Sequence, residues 1–166
     1  MSLTEFNHAA ETDARQMLRQ CCTSEAWISQ LVAARPFADA VALRAAADLA
    51  WKDLEEPDYL QAFDGHPKIG DVGSLKAKYA DTKQLAAGEQ SAVELAGIDT
   101  IEALARGNHD YEERFGFIFI VCATGKSAAE MLALLDARLP NGREEELANA
   151  AEEQRKIFQL RLEKLL

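Results

Sequence analysis

The chain is poor in the residues that mark an oxidising compartment, a membrane or a polyanion partner. Of its 166 residues three are cysteines, Cys21 and Cys22 side by side and Cys122 in an apolar run. That number and spacing exclude a disulfide framework. No apolar run approaches the roughly 20 residues a membrane-spanning helix requires. The opening Met1-Ser2-Leu3-Thr4-Glu5 lacks the basic start and apolar core of a secretory signal. Basic residues are the minority, 18 against 28 acidic, for a net charge of −10. Nucleic acid and anionic membranes need a basic footprint, so neither is the expected partner. A small anionic substrate stays open, because one local arginine can reverse the field inside a pocket. Repeats, linkers and low-complexity tracts are absent too. What is present is 48% hydrophobic residues, enough for a folded core in one domain spanning 1–166. The expectation is a soluble, cytoplasmic protein.

Apolar periodicity is helical almost throughout. Ala10, Ala14, Met17 and Leu18 predict a helix from about Phe6 to Gln20. Thr23-Ser24 offers a cap for a second, with Trp27, Ile28, Leu31 and Val32 on one face. Arg35-Pro36-Phe37 breaks it. An alanine-rich helix then runs to about Leu54, with Val41, Leu43, Ala46, Ala47, Ala50, Trp51 and Leu54 inward. Pro57 opens a short segment from Asp58 to Phe63. Gly73-Ser74 can cap a stretch through Leu75 and Tyr79, and Glu89-Gln90-Ser91 opens a run through Ala96 that stops at Gly97. Asp99 and Asn108 read as caps of two more helices, the second holding Tyr111, Phe115 and Phe119.

The run Phe117-Ile118-Phe119-Ile120-Val121-Cys122-Ala123 suits a strand by its β-branched and aromatic content. With no second strand candidate to pair with, it is expected to be a buried central helix. Thr124-Gly125-Lys126-Ser127 caps the next helix, Pro140-Asn141-Gly142 is a turn, and a final helix runs from Arg143 to Leu166. The fold class that follows is all-α, a bundle of about eight helices.

Chemistry concentrates in Ala62-Phe63-Asp64-Gly65-His66-Pro67-Lys68-Ile69-Gly70-Asp71. Proline fixes its own φ near −65° and pushes the preceding residue out of the helical region. His66 therefore sits on a stiff bend, with Gly65 and Gly70 letting the chain turn. An imidazole with a pKa near 6.5, held on a rigid loop, is what proton transfer at neutral pH needs. Read alone, His-Pro is equally a helix terminator. Gly125-Lys126-Ser127 imitates the end of a phosphate-binding loop, but that motif needs a glycine where Ile120 stands. The histidines His8, His66 and His109 have no i, i+4 pair and no cysteine cluster, so no metal is expected. His66, Asp71 and Glu89 are the one carboxylate-assisted set left as an alternative. Cys122 reads as a core filler, and Trp27 and Trp51 as core.

An ordered set of short motifs then adds up. It runs through Cys21-Cys22, Ser24, Trp27, Arg35-Pro36-Phe37 and Trp51, then Ala62-Phe63, His66-Pro67, Ile69-Gly70-Asp71 and Glu89-Gln90. It continues with Phe115-Gly116-Phe117, Val121 to Ser127, Glu144 to Leu147, Glu153-Gln154 and Leu160-Arg161-Leu162. In this the sequence resembles the 2-oxo-4-hydroxy-4-carboxy-5-ureidoimidazoline (OHCU) decarboxylases, enzymes of urate breakdown that form (S)-allantoin. The resemblance implies an all-helical homodimer that decarboxylates without a cofactor. It implies His66 as the catalytic acid or base and Glu89 as its carboxylate partner, with Gln90 and Pro67 shaping the substrate site. It further implies backbone groups from Val121, Cys122, Ala123, Thr124 and Gly125 on the ring oxygens. Arg161 is expected to be a buried guanidinium for the substrate carboxylate, although an arginine there is as readily an ordinary surface residue. One departure stands out: many relatives carry Asn-Arg-Pro where this chain has Asn141-Gly142-Arg143. A non-catalytic helical interaction module, or a lyase using the same histidine without CO₂ loss, are the competing readings. The first predicts His66 and Glu89 apart or exposed; the enzyme predicts them converging on one cavity.

Overall fold

A computed structural model describes residues 2–66 and 90–166, and of residues 90–96 the backbone alone. Eight helices lie in the described residues: α1 (Leu3–His8), α2 (Glu11–Arg19), α3 (Glu25–Ala33), α4 (Ala40–Lys52), α5 (Glu56–Asp64), α6 (Gln90–Phe115), α7 (Ala128–Arg138) and α8 (Arg143–Leu165). No strand occurs among them, which agrees with the all-α expectation. No described helix is long and apolar enough to cross a membrane. The chain divides into two compact units, one of residues 1–66 with 149–166, the other of residues 67–148. The expected helix near Leu75 and Tyr79 lies outside the described residues.

In the first unit α3 packs against α2, α4 and α5 and buries Trp27, Ile28 and Leu31. The Trp27 indole N–H donates to the Ala47 carbonyl (3.0 Å) and that of Trp51 to Ala151 (2.9 Å). Phe158 of α8 lies between the two indoles, with ring centroids 4.9 Å from Trp27 and 5.6 Å from Trp51. Such rings bury large apolar areas while their N–H groups stay satisfied.

Three expectations for this unit are corrected. The first helix is two, because the Arg35 guanidinium donates to the Phe6 and Ala9 carbonyls (2.8 Å each) and ends α1 from a distance. Ser24 stands at the α3 N-cap, yet its hydroxyl makes no capping bond; Gln61 Oε1 accepts the Glu25 N–H instead (2.9 Å). Val41 is 74% exposed rather than inward, since the buried row of α4 is Leu43, Ala47, Ala50 and Trp51. Position 41 lies about 200° round the helix from 43.

In the second unit α6 is continuous where the sequence predicts a stop at Gly97 and new caps at Asp99 and Asn108. Packing overrides the weak helix propensity of glycine. Gly107 faces α7 so closely that a Cβ there would lie 2.3 Å from Leu135 Cδ2. Asn108 bonds back to the Leu104 carbonyl (3.0 Å) as a mid-helix residue instead of capping.

Candidate functional site

His66 is delivered by α5, whose start is fixed by Pro57 and a reciprocal capping pair of Glu55 and Asp58. Ala62 and Phe63 anchor its last turn in the core. The chain leaves with the Gly65 N–H on the Ala62 carbonyl (3.3 Å) and the His66 N–H on that of Phe63 (3.1 Å). Thr23, in the loop before α3, donates its hydroxyl to the Gln61 carbonyl (3.0 Å) and clasps this end. The expectation that Gly65 serves a sharp turn is corrected: its φ is −72°, ordinary for any residue. Space is the reason for glycine, because a Cβ would lie 2.1 Å from Thr23 Oγ1 and 2.6 Å from its Cγ2.

The ring of His66 is half-buried, and its Nε2 lies 2.5 Å from Oε1 of Gln154. Gln154 is 1% exposed and belongs to a row of α8 in which Glu146, Ala150, Gln154, Phe158 and Leu162 are all buried. Arg161 sits about two turns beyond Gln154, off that row. It is exposed, and its Nη1 donates to the carbonyls of Gln20 (3.5 Å) and Cys21 (3.3 Å) that end α2. The buried guanidinium expected at 161 is thus a surface one that closes a helix end. Nearby, burial pushes the Cys21 thiol up to about 11 and the Cys22 thiol up to about 12, only partly opposed by the Arg161 charge. Both thiols are therefore inert, protonated fillers at neutral pH.

The second group of candidate residues lies in the other unit. Helix α6 ends at Gly116, whose φ of +81° suits glycine and whose N–H bonds the Glu112 carbonyl (2.8 Å). Phe117 to Ala123 is then irregular, not the buried central helix predicted. Phe117, Ile120 and Cys122 are buried. A turn follows, with the Lys126 N–H on the Ala123 carbonyl (3.0 Å) and Gly125 at φ +75°. The Lys126 ammonium folds back onto the Cys122 carbonyl (2.8 Å). Ser127 caps α7 as predicted, accepting the Glu130 N–H (3.2 Å).

A strand would pair such a segment with a neighbour; here side chains do so. Arg138 donates Nη1–H to the Ile120 carbonyl (2.7 Å) and Nε–H to the fully buried Glu146 (2.7 Å). Tyr111 donates its hydroxyl proton to the same carboxylate (2.6 Å), and Asn141 donates to its other oxygen (2.9 Å). The Arg138 guanidinium lies 4.6 Å from the centroid of the Phe119 ring, a cation–π contact. Burial, then the bond to Glu146, drive the Tyr111 hydroxyl well above the ordinary tyrosine range. Arg143, the departure noted in the sequence, donates to the Phe115 carbonyl (3.3 Å) at the end of α6 and covers the Phe117 ring.

Of the predicted site residues, the structure describes His66, Arg161 and the segment Val121, Cys122, Ala123, Thr124 and Gly125. Pro67, Asp71 and Glu89 lie outside the described residues, as does the side chain of Gln90. Among described residues no cluster of three metal-ligating side chains forms. Sequence reasoning missed Gln154, Glu146, Arg138 and Tyr111 as site-building residues. The usable signal was Glu146 and Gln154, two polar residues on an otherwise apolar i, i+4 row, where a buried polar group must find a partner.

Residues 7–163 match the model of a family described as OHCU decarboxylase. The chain is 34% identical over 145 residues to the "Uric acid degradation bifunctional protein TTL" of Arabidopsis thaliana, covering 87% of this chain but 45% of that one. A 2-oxo-4-hydroxy-4-carboxy-5-ureidoimidazoline decarboxylase of Haloferax volcanii is 27% identical over 139 residues, covering 82% of this chain and 79% of the relative. Among solved structures, one described as "Crystal structure of OHCU decarboxylase in the presence of (S)-allantoin" superposes with a TM-score of 0.71 at 32% identity, covering 95% of this chain and 98% of that one. The chain spans less than half of the Arabidopsis relative.

Proposed function

Because the chain belongs to the OHCU decarboxylase family, we propose that it converts 2-oxo-4-hydroxy-4-carboxy-5-ureidoimidazoline to (S)-allantoin and CO₂ in urate breakdown. Support comes from the near full-length similarity to a decarboxylase solved in the presence of (S)-allantoin. The observation that carries the residue-level reading is His66, an imidazole on a doubly anchored helix end with its ring held by a buried amide.

In this reaction the bond between the ring carbon and its carboxylate breaks and CO₂ leaves. The electron pair flows into the adjacent C=N bond, whose nitrogen takes up a proton. The ring hydroxyl then loses its proton and becomes the carbonyl, while the ureido-bearing carbon gains one on a single face. One proton is consumed overall, and the imine serves as the electron sink. The protein's task is to orient the carboxylate, stabilise developing charge and deliver the proton stereospecifically.

In this reading His66 is the general acid or base. Glu89 bonds the substrate hydroxyl or ureido group and disfavours the neighbouring carboxylate, Gln90 pairs with the urea moiety, and Pro67 forms a wall. Backbone groups of Val121 to Gly125 bond the ring oxygens. The carbonyls of Ile120, Cys122 and Ala123 already have protein donors, so the segment's part toward an anionic ring falls to its N–H groups. Arg161 pairs with the substrate carboxylate through its guanidinium. The proposal includes action as one catalytic domain, a homodimer and a cytoplasmic location.

The test generates the unstable substrate in place from urate with the two upstream activities and follows circular dichroism. Rapid appearance of a single allantoin enantiomer is expected. His66→Gln should lower turnover by about 10²–10⁴-fold. Slow racemic decay unchanged by the enzyme overturns the function, and a folded His66→Gln protein with normal turnover overturns the role of His66.

A further inference from the structure

We infer that Gln154 is a positioning residue that sets the tautomer and tilt of the His66 ring. The inference rests on the reading of His66 as the acid or base. An amide oxygen can only accept, so the ring nitrogen 2.5 Å from Gln154 Oε1 is the one that carries hydrogen. Nε2 is therefore protonated in both the neutral and the cationic ring.

The anchor is rigid for reasons visible in the packing. Gln154 is 1% exposed between Ala150 and Phe158 on α8, both at 0%. Phe158 is wedged between Trp27 and Trp51. An amide in that row is costly unless bonded, and a leucine would fill the same space without the penalty. The His66 backbone is held separately by the Phe63 carbonyl (3.1 Å). That bond acts on the backbone, and the Gln154 bond restrains the side-chain torsions.

The experiment uses the full chain labelled with ¹⁵N-histidine. Only His8 and His109 accompany His66, both exposed, and a His66→Gln sample assigns the signal. The wild-type protein should show a one-bond ring N–H correlation at Nε2 of His66, protected from water exchange. Gln154→Met should lose it, and Gln154→Glu, which keeps an acceptor, should retain it. Turnover of Gln154→Met should fall by about 10²-fold, the scale of a misplaced catalytic group, with KM nearly unchanged. The same substitution should add no loss in a His66→Gln background. A ring proton found on Nδ1 of the resting protein overturns the inference, as does a Gln154→Met protein with the Nε2 signal intact. If Gln154→Met fails to fold, the wild-type tautomer and Gln154→Glu decide. Full activity of His66→Gln would instead sink the proposed catalytic role and leave the tautomer result standing.

Discussion

The two units hold their candidate residues with different materials. In the unit of residues 1–66 and 149–166 the core is apolar. Its indole N–H groups reach helix carbonyls, and one buried amide meets His66. In the unit of residues 67–148 a buried carboxylate gathers an arginine, a tyrosine and an asparagine, and the arginine takes a loop carbonyl as well. The difference follows from the backbone being held. A helix interior satisfies its own N–H and C=O groups, and the end that presents His66 is held by packing and by the Thr23 hydroxyl on the Gln61 carbonyl. The irregular Phe117–Ala123 segment takes side-chain donors on its Ile120 and Cys122 carbonyls, and a buried carbonyl without a donor costs about 1–3 kcal/mol. Ionic groups are expensive to bury, and here they are recruited where irregular backbone demands donors.

The sharpest break of this contrast is Glu146→Leu, which strands Arg138, Tyr111 and Asn141. It should cost about 3–5 kcal/mol in urea unfolding. Adding Arg138→Met should recover part of that stability yet leave the Ile120 carbonyl without its donor, so substrate affinity should stay impaired. In the apolar unit the counterpart is Phe158→Ala, expected to cost about 3–5 kcal/mol through cavity and transfer terms. Its loss should be insensitive to salt.

Next in size, Gly65→Ala should cost about 1–3 kcal/mol, because the new methyl overlaps Thr23. Thr23→Gly should suppress it, which a need for glycine's torsional freedom would not allow.

The alkaline limb of stability separates the units by pH. Cys22 titrates at 9.0 when unperturbed and at about 12 when folded. A raised folded value means full stability below pH 9 and progressive loss as pH rises toward 12, since only the unfolded chain releases the proton freely. Cys22→Ala should flatten that part of the pH dependence. Cys21, raised to about 11, and Tyr111, raised from its ordinary value near 10, act in the same direction, so Tyr111→Phe should flatten a further part. The smallest effect belongs to Arg155→Ala. Its ion pairs with Glu152 and Asp48 are partly exposed, and the loss should stay under about 1 kcal/mol; a larger loss would show that the first unit also leans on charge.

Much of the fold was legible because its signals act over a few residues. Pro57, Ser127 and the Pro140-Asn141-Gly142 turn mark boundaries where they are expected. The apolar row of α3 faces inward as its spacing predicts. What misled was local information contradicted from a distance. The break between α1 and α2 depends on Arg35, and the continuity of α6 through its glycines depends on tight packing such as that of Gly107 on Leu135.

The sequence by itself determined an all-helical chain, a histidine held at a helix end, and membership of a decarboxylase family. Periodicity, caps and ordered motifs suffice for these, because each is written in neighbouring residues. The tertiary structure alone decided that Phe117–Ala123 is not helical, that Arg161 lies at the surface, and that Gln154 meets His66. Those outcomes depend on which distant groups supply hydrogen-bond partners, and pairing across 88 residues leaves no mark in local spacing.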